Sequence, residues 1–299
     1  MATTPPTNDL RALAAAGVTI VLWASAFVVI RDAGEHISPG ALALGRLVTG
    51  ALALGAFLML RRQGLPPKPA WPGILIAGVA WFGVYMVALN AGEQRIDAGT
   101  ASLVINLAPI LMAALGGWLL KEGFPPQLMV GLALGFAGAV LVGFASSDGG
   151  SASLLGVLLC GLAAAGSATG VVAQKPALRH ATALQVTAYG NVVGAVLCLP
   201  FAGTLVREVS AAPASAVLEI VYLGLFPTAL AFSTWAYALS RTTAGKLGAT
   251  TYLVPVLVVL LSWVALDEIP AALSFVGGAL CLVGVAVSRR RSRKTVEES

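Results

Sequence analysis

Three kinds of residue in this chain have the type and placement to handle a small molecule: aromatic rings, a single arginine, and a few amides and hydroxyls, all set within long apolar runs. Trp23, Trp81, Tyr85, Asn106, Trp235, Tyr237 and Tyr252 lead the aromatic and amide set, and Arg46 is the one clear charge inside an apolar run. A wall of aromatic faces with few hydrogen-bonding groups suits a small molecule that carries an apolar side chain. Tyr237 is the weakest member, because it falls close to the end of its run. Arginine near the centre of a spanning helix costs about 2.5–3.5 kcal/mol on insertion scales, so Arg46 must face protein or water and have a partner. One partner is a substrate carboxylate. The alternative is structural, a clamp on helix carbonyls or on Glu93 or Asp97, and the offset of Arg46 toward one end of its run favours it. For any single aromatic the alternative is packing or lipid contact. Ser25, Ser102, Thr169, Thr187, Tyr189, Asn191 and Thr251 are weaker candidates, since serine and threonine in helices often bond their own backbone.

The chemistry that is missing narrows the function further. All 13 carboxylates fall in loops, tails or the edges of apolar runs, with Glu219 about a turn inside its run. A proton-coupled exporter of cations needs a buried carboxylate that proton and substrate share. His36 and His180, both in loops, do not replace it. The expected substrate is therefore neutral or zwitterionic and moves down its own gradient. An embedded enzyme would want clustered Asp, His or Cys near one interface, and the sequence has no such cluster. Cys160, Cys198 and Cys281 lie inside apolar runs without metal-ligand spacing, so no metal, cofactor or disulfide is expected. An exchanger of nucleotide sugars or phosphate esters needs paired basic residues facing a cavity, where Arg46 stands alone and Lys246 is near a run's end. A scaffold or receptor remains as another class, but gives no reason for the repeat described next.

Hydrophobic residues make up 58% of the chain, charged residues 10%, and the mean hydropathy is +0.89. Soluble domains carry about 25% charge, so lipid is the solvent for most of this surface. Runs of about 20 apolar residues span a bilayer as helices. They fall near Leu10–Val29, Pro39–Leu60, Trp71–Ala91, Ala98–Leu120 and Gln127–Ala145, then near Ser153–Gln174, Ala183–Leu205, Ala216–Leu239, Leu247–Leu266 and Ala271–Val287. The second five repeat the first. Shifted by 146 residues, Gly78, Pro109, Glu122, Gly131 and Gly138 land on Gly224, Pro255, Glu268, Gly277 and Gly284. At an offset of 144, Gly17, Ser25 and Gly50 land on Gly161, Thr169 and Gly194. An odd number of crossings leaves the chain on the opposite side, so the copy inserts upside down. The fold class expected is an all-α integral membrane protein of ten transmembrane helices in two inverted five-helix repeats. Residues 1–146 form the first repeat, 147–152 a connector, 153–288 the second repeat and 289–299 a basic tail. Inverted repeats are the architecture of alternating-access transport.

Within that frame Pro109 and Pro255 sit mid-run at equivalent positions, and proline there removes a backbone hydrogen bond and kinks the helix. Asn106 and Tyr252 each stand three residues before their proline, so pseudo-symmetry places them on facing walls. Glu122 and Glu268 lie just before the fifth and tenth helices, where a carboxylate suits a helix N-terminus and reads as structural. Most of the 18 basic residues, including Arg61, Arg62, Lys121, Lys175, Arg179, Arg241 and the Arg289–Lys294 cluster, fall on one side of this topology. That bias places both termini in the cytoplasm. The basic tail is a topology anchor in preference to a nucleic-acid patch.

Longer motifs carry a resemblance. Trp23-Ala24-Ser25-Ala26-Phe27, Arg46, Asn106-Leu107-Ala108-Pro109, Leu120-Lys121-Glu122 and the glycines from Gly131 to Gly143 come in order along the first half. Tyr252-Leu253-Val254-Pro255, Asp267-Glu268 and Gly277 to Gly284 follow in the second. Together they resemble the drug/metabolite transporter superfamily in its ten-helix form with paired EamA-type halves, and within it the amino-acid exporters of YddG type. The resemblance implies a central cavity lined by helices one to four and six to nine, with the fifth and tenth outside it. It also implies export of aromatic and other neutral amino acids from the inner (plasma) membrane. No cofactor or nucleic acid is implied. The partners expected are the small-molecule substrate and membrane lipid, with the chain a monomer and a dimer the alternative.

A reporter that works only in the cytoplasm should give signal when fused after Lys294 and none when placed at Gly149. The reverse pattern would remove both the orientation and the inverted-repeat argument.

Overall fold

In lipid every backbone polar group must be satisfied within the chain, and all the regular structure among the described residues is helical. The computed structural model describes residues 10–96, 101, 104–145, 153–257, 260 and 272–289. Asp97, Ser102, the connector 147–152, Glu268 and the tail beyond Arg289 lie outside the described residues, as does most of the expected ninth span after Leu257. The elements in chain order are α1 (Leu10–Ala33), α2 (Pro39–Leu60), α3 (Lys68–Glu93), α4 (Ala108–Leu119), α5 (Pro126–Ala145) and α6 (Leu154–Ala177). They continue as α7 (Ala183–Ala211), α8 (Ala214–Leu239), α9 (Ala244–Ala249, running into a 3-10 turn over Thr250–Tyr252) and α10 (Ala272–Arg289). Among the described residues, 6 helices (α1, α2, α3, α6, α7 and α8) are long and apolar enough to cross a membrane, and shorter apolar helices lie within α4, α5 and α10.

Glycine decides how these helices meet. A Cβ on Gly78 in α3 would come within 2.5 Å of Val193 and 2.9 Å of the Gly190 carbonyl in α7. A Cβ on Gly224 in α8 would come within 2.5 Å of Thr49 and 2.9 Å of the Arg46 carbonyl in α2. These are the same contact made twice by repeat-equivalent residues. At the edge of the bundle α5 and α10 lie against each other in the same reciprocal way. A Cβ at Gly131 would stand 2.6 Å from the Gly284 carbonyl, and one at Gly138 would stand 2.5 Å from the Gly277 carbonyl. Between them the Cys281 thiol donates to the Gly135 carbonyl at 3.5 Å. Contacts in which each residue meets the other's equivalent are what a two-fold axis produces.

The helices are less regular than their sequence suggests. Both α3 and α8 contain π-helical stretches, Gly78–Tyr85 and Gly224–Leu230, which begin at equivalent glycines. π-bulges concentrate at functional sites, and the first of these carries Trp81 and Tyr85. The uninterrupted spans expected here gave no sign of them. The expected kinks at Pro109 and Pro255 take another form. A turn at Asn106–Leu107 precedes α4, and Pro109 occupies the first turn of that helix, where its missing N–H costs nothing. Before Pro255 the chain passes through the 3-10 turn Thr250–Tyr252. Both helices are interrupted ahead of the proline instead of bent at it.

Replacing Gly138 by alanine should destabilise the protein by about 1–3 kcal/mol, the usual range for overpacking, because its new methyl meets backbone. Gly55→Ala, with nothing within 4 Å of its Cβ position, should be neutral or stabilising by up to about 1 kcal/mol. Melting temperatures in detergent check the pair.

Candidate functional site

Where α1, α3 and α8 converge, the aromatic residues close into one cluster. Trp23 of α1 lies 4.9 Å from Trp235, 5.9 Å from Trp81 and 5.5 Å from Phe232 between ring centroids. Trp81 and Phe232 are 4.6 Å apart, and Phe82 extends the group at 4.6 Å from Phe232. Trp235 is wholly buried and Trp81 and Phe232 nearly so, while Trp23 is half-buried. Local geometry explains the meeting. Phe232 and Trp235, three apart on α8, share a helix face. α1 is pinned beside them by the Thr19 hydroxyl, which is 2.8 Å from Thr234 Oγ1 and 3.2 Å from the Ala231 carbonyl. Thr19 stands one turn before Trp23. Gly170 on α6 lets Trp81 seat closely, since a Cβ there would fall 2.4 Å from that of Trp81. Each such ring pair adds about 0.5–1.5 kcal/mol beyond its burial.

Polar atoms without partners sit in this interior. Among the described residues, Trp235 Nε1, Thr228 Oγ1 and both amide atoms of Gln174 are buried with no hydrogen bond. A buried group left unmet costs about 1–3 kcal/mol, and Thr228 lies at a helix contact, beside Gly50 of α2. Arg46 is 5% exposed, its Nε is unpaired among the described residues, and Tyr85 and Glu93 lie within its electrostatic reach. Glu93 also faces Arg31. Tyr85, the nearer of these to the rings, packs partly buried against the core that holds Trp81 and Trp235. Among the described residues, Arg46 reaches the aromatic cluster only through Tyr85.

The structure brings Trp23, Trp81 and Trp235 together, packs Tyr85 against the same core with Arg46 within its reach, and places Tyr252, Asn106 and Tyr237 as follows. Tyr252 is wholly buried against α5, where a Cβ on Gly135 would lie 2.5 Å from its ring, and it packs with Leu128, Leu132 and Cys281. The facing pair expected for Asn106 and Tyr252 departs from this arrangement, because the glycine at position 135 opens a slot toward the outer helices that the tyrosine ring fills. Asn106 is buried in the turn ahead of α4. Tyr237 lies under the Arg241 guanidinium at 4.3 Å, at the end of α8. Of the weaker candidates, Ser25 bonds Leu22 O and Tyr222 Oη, Thr187 bonds Phe232 O, Asn191 bonds Leu47 O and Thr251 bonds Gly248 O, so these are engaged in holding helices. Tyr189 stacks on Trp71 at 5.5 Å, and Thr169 is exposed.

Sequence reading passed over Phe232 and Lys175. Phe232 was legible as the residue one turn ahead of Trp235. Lys175 had only the look of a lysine at a span's end. In the structure its Nζ donates to Leu239 O at 2.7 Å and to Thr242 O, and lies 3.9 Å from Glu122 Oε1. Glu122 Oε2 in turn accepts the Ala244 amide at 2.8 Å. The carboxylate expected beside α5 therefore serves the N-terminus of α9, across the repeat boundary. This clasp ties the α4–α5 loop, α6 and the α8–α9 loop at one end of the bundle.

A model of the EamA-like transporter family matches residues 10–144 and again 154–290. The chain belongs to the EamA-like transporter family. It is a multi-pass membrane transporter and not an enzyme. It is 35% identical over 280 residues to a probable terminal-alkyne amino-acid exporter of Streptantibioticus cattleyicolor, covering 92% of each chain. It is 34% identical to the uncharacterized transporter YdfC of Bacillus subtilis, over 92% of this chain and 90% of that one. A probable amino-acid metabolite efflux pump of Escherichia coli matches at 25% over 91% of this chain and 92% of its own. A crystal structure 24% identical superposes with a TM-score of 0.75, covering 93% of this chain and 96% of the other, which supports the fold.

In this EamA-family chain the clasp should control access to the interior. A cysteine introduced at Ala238, which is 1% exposed, should react slowly with a small maleimide and several-fold faster when Glu122→Ala or Lys175→Ala is added. Equal rates would show that the clasp does not restrain that end.

Proposed function

We propose that this chain exports small neutral or zwitterionic amino acids, aromatic ones included, across the plasma membrane by alternating access. The observation that carries the reading is the buried cluster of Trp23, Trp81, Trp235 and Phe232 where α1, α3 and α8 meet. A binding site for an apolar side chain wants this kind of aromatic surface, and the neighbouring Arg46 is a counter-charge for a carboxylate. The relatives named as amino-acid exporters and efflux pumps support the same substrate class. In this reading the chain crosses ten times as two inverted halves, residues 1–146 and 153–288, with both termini in the cytoplasm. The reciprocal glycine contacts of α3 with α7 and of α2 with α8 support a hinge at which the halves rock. The Glu122–Lys175 clasp closes the cytoplasmic end, and its release is the inward-opening step. The transporter works as a monomer. Exchange of nucleotide sugars or phosphate esters is the second reading, and a lone Arg46 beside the rings gives it less support.

Liposomes carrying the protein should equilibrate a labelled aromatic amino acid in counterflow with no imposed pH or voltage. Trp235→Ala and Trp23→Ala should each raise the half-saturating concentration about tenfold, the effect of losing roughly 1.4 kcal/mol of contact. Arg46→Gln should erase the preference for the amino acid over its carboxamide. Accumulation against a gradient that a protonophore abolishes, or kinetics untouched by the tryptophan variants, would overturn the reading.

A further inference from the structure

On the outside of the bundle, α1 and the α9–α10 pair enclose an apolar groove of about 230 Å³. Leu13, Gly17 and Ile20 of α1, Leu253 after α9 and Leu282 of α10 form its walls, and Arg289 stands at one end. The floor is open because a Cβ on Gly17 would meet nothing within 4 Å. Leu13 is 48% exposed and Leu282 is 55% exposed, so the groove faces outward and not into the bundle. Its only hydroxyl, on Thr250, already donates to the Leu247 carbonyl at 2.6 Å. From Leu13 to Ile20, and from Arg289 back to Leu282, the helices rise about 10 Å. The groove therefore runs about two helical turns inward from the end that carries Arg289. In the sequence Arg289 is followed by Arg290, Arg291, Arg293 and Lys294.

An apolar trough two turns long that ends in one cation complements a molecule with an anionic head and a hydrocarbon tail. We propose that this groove binds one anionic phospholipid, with an acyl chain laid between α1 and α10 and the headgroup phosphate on Arg289. Guanidinium pairs with phosphate oxygens through short charge-assisted hydrogen bonds, and a basic segment beside a spanning helix attracts anionic lipid. The glycine at position 17 is what admits the chain, since a larger side chain would occupy the floor. The site stands apart from the aromatic cluster and does not depend on what the transporter carries.

Native mass spectrometry of the full-length protein in detergent tests this with phosphatidylglycerol and phosphatidylcholine of the same chain length. Wild type should retain one phosphatidylglycerol per chain, and phosphatidylcholine about five- to tenfold less. Arg289→Gln should bring phosphatidylglycerol down to the phosphatidylcholine level. Arg61→Gln should leave retention unchanged, because Arg61 lies 5.0 Å over the Phe57 ring and does not line the groove. Gly17→Leu should weaken both lipids, and a melting curve confirms that this variant is folded; if it is not, the Arg289 comparison decides. Equal retention of the two lipids by wild type, or phosphatidylglycerol retention unaffected by Arg289→Gln, would overturn the proposal. A folded Gly17→Leu variant that binds as wild type does would overturn the groove as the acyl-chain site.

Discussion

Helices in a bilayer gain nothing by hiding apolar surface from one another, because lipid tails are as apolar as leucine. Their association rests on close van der Waals packing and on the small residues that permit it. That constraint organises this transporter. Gly78 and Gly224 bring α3 onto α7 and α8 onto α2, and Gly131, Gly138 and Gly284 bring α5 onto α10. Backbone meets backbone or a β-carbon at each of these points, so the contacts have little room to slide. The interior cluster of tryptophans depends on the same condition: Trp81 reaches the centre because Gly170 leaves space for its Cβ on α6.

Irregular backbone is tolerated at membrane depth only where protein or a cavity covers it. Here it is distributed by repeat. π stretches mark α3 and α8, while a turn and a 3-10 segment interrupt the chain before Pro109 and Pro255. The helices α5 and α10 carry no such interruption among the described residues and are joined tightly to each other. Elements that must change shape hold fewer regular hydrogen bonds than elements that serve as a frame. On the proposed reading of alternating access, this criterion makes α3, α4, α8 and α9 the movable set and α5 with α10 the support.

How far the sequence reveals this can be judged from particular residues. Glycine and proline positions disclose the repeat because their backbone roles do not tolerate substitution by larger side chains, and, apart from the fourth and ninth spans, the helices among the described residues lie close to the runs of apolar residues. The tryptophans are also legible, since a large ring within a span needs a partner. Tyr252 was not, because its direction depends on Gly135, a residue 117 positions away in the chain, and position along a helix does not say which neighbour leaves a slot open. The π stretches escape for a related reason. Nothing in Gly78–Tyr85 differs in hydropathy from an ordinary helix, and the stretch is distinguished by its packing on α7 and α6, which the sequence does not display. Lys175 and Glu122 belong to loops and ends, where the partners are backbone carbonyls and amides that carry no sequence signature.

Closure at the two levels of the molecule has different chemistry, and that difference bears on how it would open. At the centre is a set of rings in tilted and edge-to-face contact, each pair worth about 0.5–1.5 kcal/mol, and on the proposed reading an aromatic substrate replaces such contacts almost one for one. At the clasped end the barrier is a capping carboxylate and a lysine that satisfy the Ala244 amide and the Leu239 and Thr242 carbonyls. A cap of this type contributes about 0.5–2 kcal/mol, and its groups need only water as a substitute. A substrate that exchanges ring for ring at the centre changes the balance between closed and open by its own contacts, while the clasp stays indifferent to what is carried. On the proposed reading, selectivity resides in the aromatic cluster and Arg46, and the sidedness of opening in Glu122 and Lys175.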